Sequence, residues 1–153
     1  MTQSSAPLSP SQACYDLIKF FEGLSLKAYP DPGSGDDPWT IGYGSTGKDI
    51  KRGLVWTLAQ ADARLKLDVA SFALGVRALI VKSPTTQRQF DALVSFAYNV
   101  GLGNLKSSTL LKKHLARETV AANAEFVRWN KASGKVMAGL TRRRAAEAAL
   151  YGL

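Results

Sequence analysis

The chain holds one cysteine and one histidine in 153 residues. A lone Cys14 excludes an intramolecular disulfide and fits a reducing compartment. Its place among apolar residues at helical spacing reads as a small core residue rather than a nucleophile. With no second His or Cys near His114, no metal-ligand cluster is recognisable and no cofactor is expected. In Lys112-Lys113-His114-Leu115 the ring is expected at the surface, near a helix C-terminus. No stretch is apolar for long enough to cross a bilayer or to serve as a signal h-region. Stable membrane insertion is therefore not expected, and synthesis and folding in the cytoplasm are. Repeats, low-complexity tracts and extended linkers are absent as well, which leaves one domain over 1–153 able to bury its own core. Residues 1–8 are small and polar and read as a loose arm.

Acidic residues are in deficit: 20 Lys and Arg face 12 Asp and Glu, a formal charge of +8. Such a surface attracts anionic polymers, and the attraction weakens with salt. A helical protein gripping nucleic-acid phosphates with Arg142-Arg143-Arg144 and Lys112-Lys113 is one account of it. The dispersal of the basic residues and the lack of a binding motif argue against nucleic acid as a partner.

Ser9-Pro10-Ser11-Gln12 supplies an N-cap serine, a proline at the first helical position and a glutamine three past the cap, so a helix should open there. Cys14, Leu17, Ile18 and Phe21 recur at helical spacing, and Gly23 is a natural terminator. Glu22 then occupies the last turn. The negative end of the helix dipole and partial burial beside Phe20 or Phe21 both favour its protonated form, as a general acid requires. A solvated glutamate at a helix end is the plainer reading of Glu22 alone.

Leu24 to Tyr29 alternates apolar and polar residues, the next nine are rich in turn formers, and Trp39 to Gly44 alternates again. This is a hairpin with a long loop. Trp39, Ile41 and Tyr43 share one face, leaving Thr40 and the glycines on the other, where a bulky ligand could approach the backbone. Asp31 begins the loop at the hairpin's mouth, a place where an Asx turn is the simplest use of an aspartate.

The remainder is helical. Thr57 to Gln60 forms a capping box ahead of a long helix carrying Leu58, Ala61, Leu65, Val69, Phe72 and Val76. Thr86 caps a helix through Val100, ended by Gly101; Ser107 caps one through Leu115, Thr119 one through about Asn130, and Thr141 the last. The expected fold is α+β, mostly α. A β-hairpin lobe (about 23–56) packs beside a helical lobe (about 9–22 and 57–153), joined by a long helix, with a cleft between them.

These residues resemble the signature of phage-type lysozymes, the endolysins of glycoside hydrolase family 24: a Glu at a helix end, an Asp nine positions on and a Thr in a T-I-G-x-G strand. Gln89 to Gly101 is similar to that family's central helix, and Ser107 to Leu111, Trp129 and Gly139 to Glu147 follow in order. The resemblance covers about 12–152, nearly the whole chain. There are two departures: the loop from Asp31 to Thr40 is longer than in the most compact members, and Ser45 stands where the family often has His.

The resemblance implies that Glu22, Asp31 and Thr40 are catalytic and that the substrate is peptidoglycan, cut between N-acetylmuramic acid and N-acetylglucosamine. Glu22 would be the acid, Asp31 the ionised carboxylate that orients water or stabilises cationic charge, and Thr40 a holder of that water. It implies inversion, hence carboxyls roughly 6.5–9.5 Å apart. Asn99 and Trp129 would line the cleft. An arginine at the start of the last helix would pair with Glu22, Arg142 being the first choice and Arg143 the alternative; such a pair opposes the effects that protonate the acid. The implied setting is a monomer held in the host bacterial cytoplasm until a separate holin gives access to periplasmic peptidoglycan. A lytic transglycosylase, needing one carboxyl only, is the rival enzyme.

Overall fold

A computed structural model describes residues 7–153. The first helix, α1 (Gln12–Glu22), begins at Ser11 rather than Ser9. Ser11 makes no side-chain cap on its own helix because Asp91 engages it: its N–H donates to Asp91 Oδ1 at 3.0 Å and its hydroxyl to Oδ2. A buried aspartate that holds two donors fixes where α1 starts. Most of the expected arm lies outside the described residues, but its end is tied down: Leu8 packs on the core, and its carbonyl accepts from Arg77 Nη1 at 2.8 Å. Gly23 ends the helix at φ 70°, a conformation that glycine adopts at little cost.

Strands β1 (Ser25–Tyr29) and β2 (Thr40–Gly42) pair antiparallel, with Tyr29 opposite Thr40 closing the long loop. The other edge of β1 is covered by residues 54–56: Trp56 N donates to Leu26 O at 2.8 Å and Ala28 N to Leu54 O at 3.0 Å. Pairing both edges leaves little strand edge open to other chains. Ile41 and Tyr43 are buried as expected, and Trp39 is half-buried.

The capping box expected at Thr57 and Gln60 is present ahead of α2 (Leu58–Ile80), and the cap expected at Thr86 ahead of α3 (Gln87–Val100) proves to be a full box with Gln89. Buried Ala61, Leu65, Val69, Ala73, Val76 and Ile80 form the inner stripe of α2, whereas Leu58 in its first turn is exposed. Helix α3 is enclosed on every side, with each residue from Phe90 to Ala97 buried, so it is the axle of the helical lobe. Phe96 packs edge-on against Phe126 and Trp129, at centroid distances of 5.6 and 5.4 Å. Cores of this kind lose about 3–5 kcal/mol when such a ring is cut to Ala.

The last third departs from the sequence reading. Helix α4 (Leu102–Ser107) intervenes, so α5 (Thr109–Leu115) is capped by Ser108, not Ser107. Helix α6 (Thr119–Glu125) contains Thr119 instead of being capped by it and tightens into a 3-10 turn over Phe126–Arg128. A second hairpin follows, β3 (Lys131–Ala132) with β4 (Lys135–Val136), and α7 (Ala138–Tyr151) starts three residues before Thr141. His114 is buried, not at the surface: one ring nitrogen lies 2.6 Å from Tyr151 Oη and the other 2.8 Å from Thr85 Oγ1. Cys14 is fully buried, and burial pushes its thiol far up, which suppresses the thiolate. Among the described residues, no helix is long and apolar enough to cross a membrane.

Candidate active site

Glu22 ends α1 in a half-buried position where three elements meet. Arg143 of α7 places Nη1 2.5 Å from Glu22 Oε2. The same guanidinium reaches Glu147 Oε2 at 3.3 Å and the Ser95 carbonyl of α3 at 3.2 Å, so it is held from several directions. Ser95 donates its hydroxyl to Glu147 at 2.6 Å. Arg144 pairs with the other oxygen of Glu147 at 2.7 Å. Burial pushes the Glu147 carboxyl up while Arg144 and Arg143 pull it down. Two arginines around one fully buried carboxylate leave a charge that Glu22 complements.

The pairing partner of Glu22 is therefore Arg143 and not Arg142. Along α7 the buried residues are 143, 144, 147 and 151, one helical face, and Arg142 falls on the exposed side. The signal was present in the sequence, because Arg143, Glu147 and Tyr151 recur every four residues and Tyr151 marks the inner face. The same burial removes Arg143 and Arg144 from any phosphate-gripping surface.

Gly44, just beyond β2, brings the hairpin onto the acid. Its φ is 85°, and a Cβ there would stand 2.7 Å from Glu22 Oε1. Glycine lets the carboxyl lie against bare backbone. Gly42 serves a different purpose from the one expected: a Cβ there would meet the Trp56 ring at 3.0 Å, so this face is filled by protein and is not open to ligand. Tyr98 of α3 donates its hydroxyl to the Tyr43 carbonyl at 2.6 Å and ties the hairpin to the axle helix. Burial, then the charges of Glu22 and Asp68, push the Tyr98 hydroxyl strongly up, so it remains a donor. Ser45 donates to Asp68 at 2.6 Å, and Arg64 holds Asp68 at 3.0 Å and Asp49 at 2.8 Å. A hydroxyl-to-carboxylate hydrogen bond thus occupies the position where the family often has His.

A cavity of about 600 Å³ opens over Glu22 and Arg143, with Asn99, Arg142, Phe20 and Met137 among its walls. The structure thus brings Glu22, Asn99 and Arg142 together. Asp31 and Thr40 are not among its wall residues; they stand at the same end of the hairpin, Thr40 in the closing pair and Asp31 two residues past Tyr29. Asp31 does make the turn expected of it, with Oδ2 accepting from Ser34 N at 3.0 Å and its carbonyl from Gly35 N at 2.8 Å. Trp129 is not a wall of the cavity either: its ring packs on Phe96 and its carbonyl accepts from Arg144. Among the described residues, no cluster of His, Cys, Asp or Glu could hold a metal ion.

A carboxylate at the end of a helix, a hairpin lobe folded against it and a buried arginine behind it define a lysozyme-like fold. The Phage lysozyme family model matches residues 19–147. The chain is 52% identical over 141 residues to the endolysin of Bacillus phage PZA, an alignment that takes in 92% of this chain and 54% of that protein. It therefore spans about half the length of that relative. It is 43% identical over 142 residues to the endolysin of Acyrthosiphon pisum secondary endosymbiont phage 1, covering 88% of this chain and 92% of the relative. The solved endolysin from Escherichia coli O157:H7 phage FAHEc1 superposes with a TM-score of 0.85 at 40% identity, over 95% of this chain and 94% of that one. The chain belongs to the phage lysozyme family.

Proposed function

We propose that this protein is an endolysin that hydrolyses the β-1,4 bond between N-acetylmuramic acid and N-acetylglucosamine in bacterial peptidoglycan. The observation that carries the reading is the position of Glu22 on the floor of a cavity of about 600 Å³, gripped by Arg143 and backed by the bare backbone of Gly44. Glu22 gives a proton to the glycosidic oxygen as the bond to the anomeric carbon breaks. Asp31, in its polar loop, is the ionised partner that orients the attacking water or stabilises positive charge on the sugar, and the Thr40 hydroxyl holds that water. Arg143 fixes the acid's position, while Asn99 and Arg142 contribute polar groups to the cavity wall. Two carboxylates at a distance that admits water would give inversion.

The net charge of +8 suits an enzyme that works on anionic cell envelopes. Its working form is a monomer, kept in the bacterial cytoplasm until a separate holin opens the inner membrane. Lysis on expression without any such partner would contradict that route. The chemistry is tested by digesting purified, outer-membrane-stripped walls and analysing the sugar ends released by wild type and by Asp31→Asn. Hydrolysis predicts reducing ends and an inactive, folded Asp31→Asn. Anhydro ends, with Asp31→Asn still active, would make the protein a transglycosylase.

A further inference from the structure

Phe20 is the residue that the helix and the core leave without a purpose. It precedes Phe21 and Glu22 on α1, is 79% exposed and is a wall of the cavity above Glu22. A single exposed apolar residue needs no explanation. Phe20, however, has an aromatic support: its ring meets Phe21 edge-to-face, with centroids 4.9 Å apart and planes at 85°. Phe21 in turn lies beneath the Arg143 guanidinium, 6.0 Å from its centroid. The arginine that positions the acid thus also backs the ring that orients Phe20.

We infer that Phe20 is a stacking platform for a pyranose ring of the glycan beside the bond that is cut. The inference rests on the glycan-cleaving reading above. The aromatic face carries partial negative charge, and the axial C–H groups of a β-linked pyranose present a polarised apolar face that fits it. A rigid platform loses little conformational freedom on binding, which is why an oriented ring is more effective than a mobile one. Its position two residues before Glu22, as a wall of the same cavity, ties the stacked sugar to the acid.

The test uses soluble, peptide-free glycan strands with Phe20→Ala, Phe20→Leu and Phe20→Trp, each confirmed folded by its melting curve. Cleavage kinetics are measured in the wild-type background, and strand affinity in the Glu22→Gln background, where no cleavage blurs the reading. Phe20→Ala and Phe20→Leu are expected to raise KM and weaken affinity about five- to tenfold with kcat within about twofold, and Phe20→Trp to hold both near wild type. Unchanged KM and affinity in Phe20→Ala would overturn the platform, as would Phe20→Leu matching wild type, since leucine keeps apolar area without a ring. If the unsubstituted protein binds strands and leaves them intact, the hydrolase reading fails and the affinities alone decide on Phe20.

Discussion

Arg143 and Glu22 lie 121 positions apart in sequence and are joined by a contact of 2.5 Å, so the last helix positions the end of the first. Arg143 is only 3% exposed, and its removal leaves Glu22 without its partner and the fully buried Glu147 with one arginine instead of two. Breaking a buried pair by deleting one partner costs about 3–5 kcal/mol. Arg143→Ala should therefore lower the melting temperature by about 10 °C or more and abolish wall cleavage. A melting temperature within about 2 °C of wild type would show that the buried network does not hold the helices together.

Gly44 and Gly23 allow a controlled comparison. Both have positive φ, 85° and 70°, so alanine is strained at either; only at Gly44 does a Cβ approach Glu22, while at Gly23 nothing lies within 4 Å. Each substitution should cost about 1–2 kcal/mol in stability. Gly44→Ala should in addition depress kcat at least tenfold more than Gly23→Ala, measured at a temperature where both remain folded. Equal activities would mean that the approach of the hairpin to the carboxyl is unimportant.

Removing one oxygen from Tyr98 leaves the Tyr43 carbonyl without its 2.6 Å partner. An orphaned buried acceptor costs about 1–3 kcal/mol. Tyr98→Phe is expected to unfold at lower denaturant concentration by that amount, with faster amide exchange in β2 than in the helical lobe. Uniform exchange changes would deny Tyr98 a specific hold on the hairpin.

Burial lowers the pKa of His114, so the unfolded chain takes up a proton before the folded one. The stability this group contributes is complete above its unfolded value of about 6.5 and is lost as pH falls below it, with a slope of at most about 1.4 kcal/mol per pH unit. Wild type should melt at a lower temperature at pH 5 than at pH 7.5, and in His114→Gln that difference should shrink. An undiminished difference would assign the acid sensitivity to other groups.

Features set by neighbours along the chain were legible in the sequence. The capping box at Thr57, the cap at Thr86, the glycine stop after Glu22 and the pairing of the hairpin strands each depend on a few adjacent residues, and each stands where it was expected, although Leu24, Leu26 and Tyr29 of the segment read as the first strand are exposed rather than alternately buried. What was misread depends on distant partners. Ser9 looks a better cap than Ser11 until Asp91 of α3 engages Ser11. Arg142 looks equivalent to Arg143 until the β3–β4 hairpin moves the start of α7 to Ala138 and fixes which face turns inward. His114 sits in a lysine-rich stretch that reads as surface, and only Tyr151 and Thr85 reveal its burial. Of the candidate site, the Glu22 carboxylate and its helix-end position were readable. The arginine register was written in the four-residue recurrence of Arg143, Glu147 and Tyr151, whereas the use of Gly42 and Gly44 was not readable, because each depends on a side chain distant in sequence, Trp56 for one and Glu22 for the other.

The central claim is that Glu22 is the proton donor for glycan cleavage, and the most direct measurement is the clearing rate of purified walls by Glu22→Gln against wild type at equal folded concentration. General acid catalysis contributes about 10²–10⁴-fold, so the variant should clear walls at least 100-fold more slowly while still binding them. A folded Glu22→Gln that clears walls at a rate close to wild type would contradict the account.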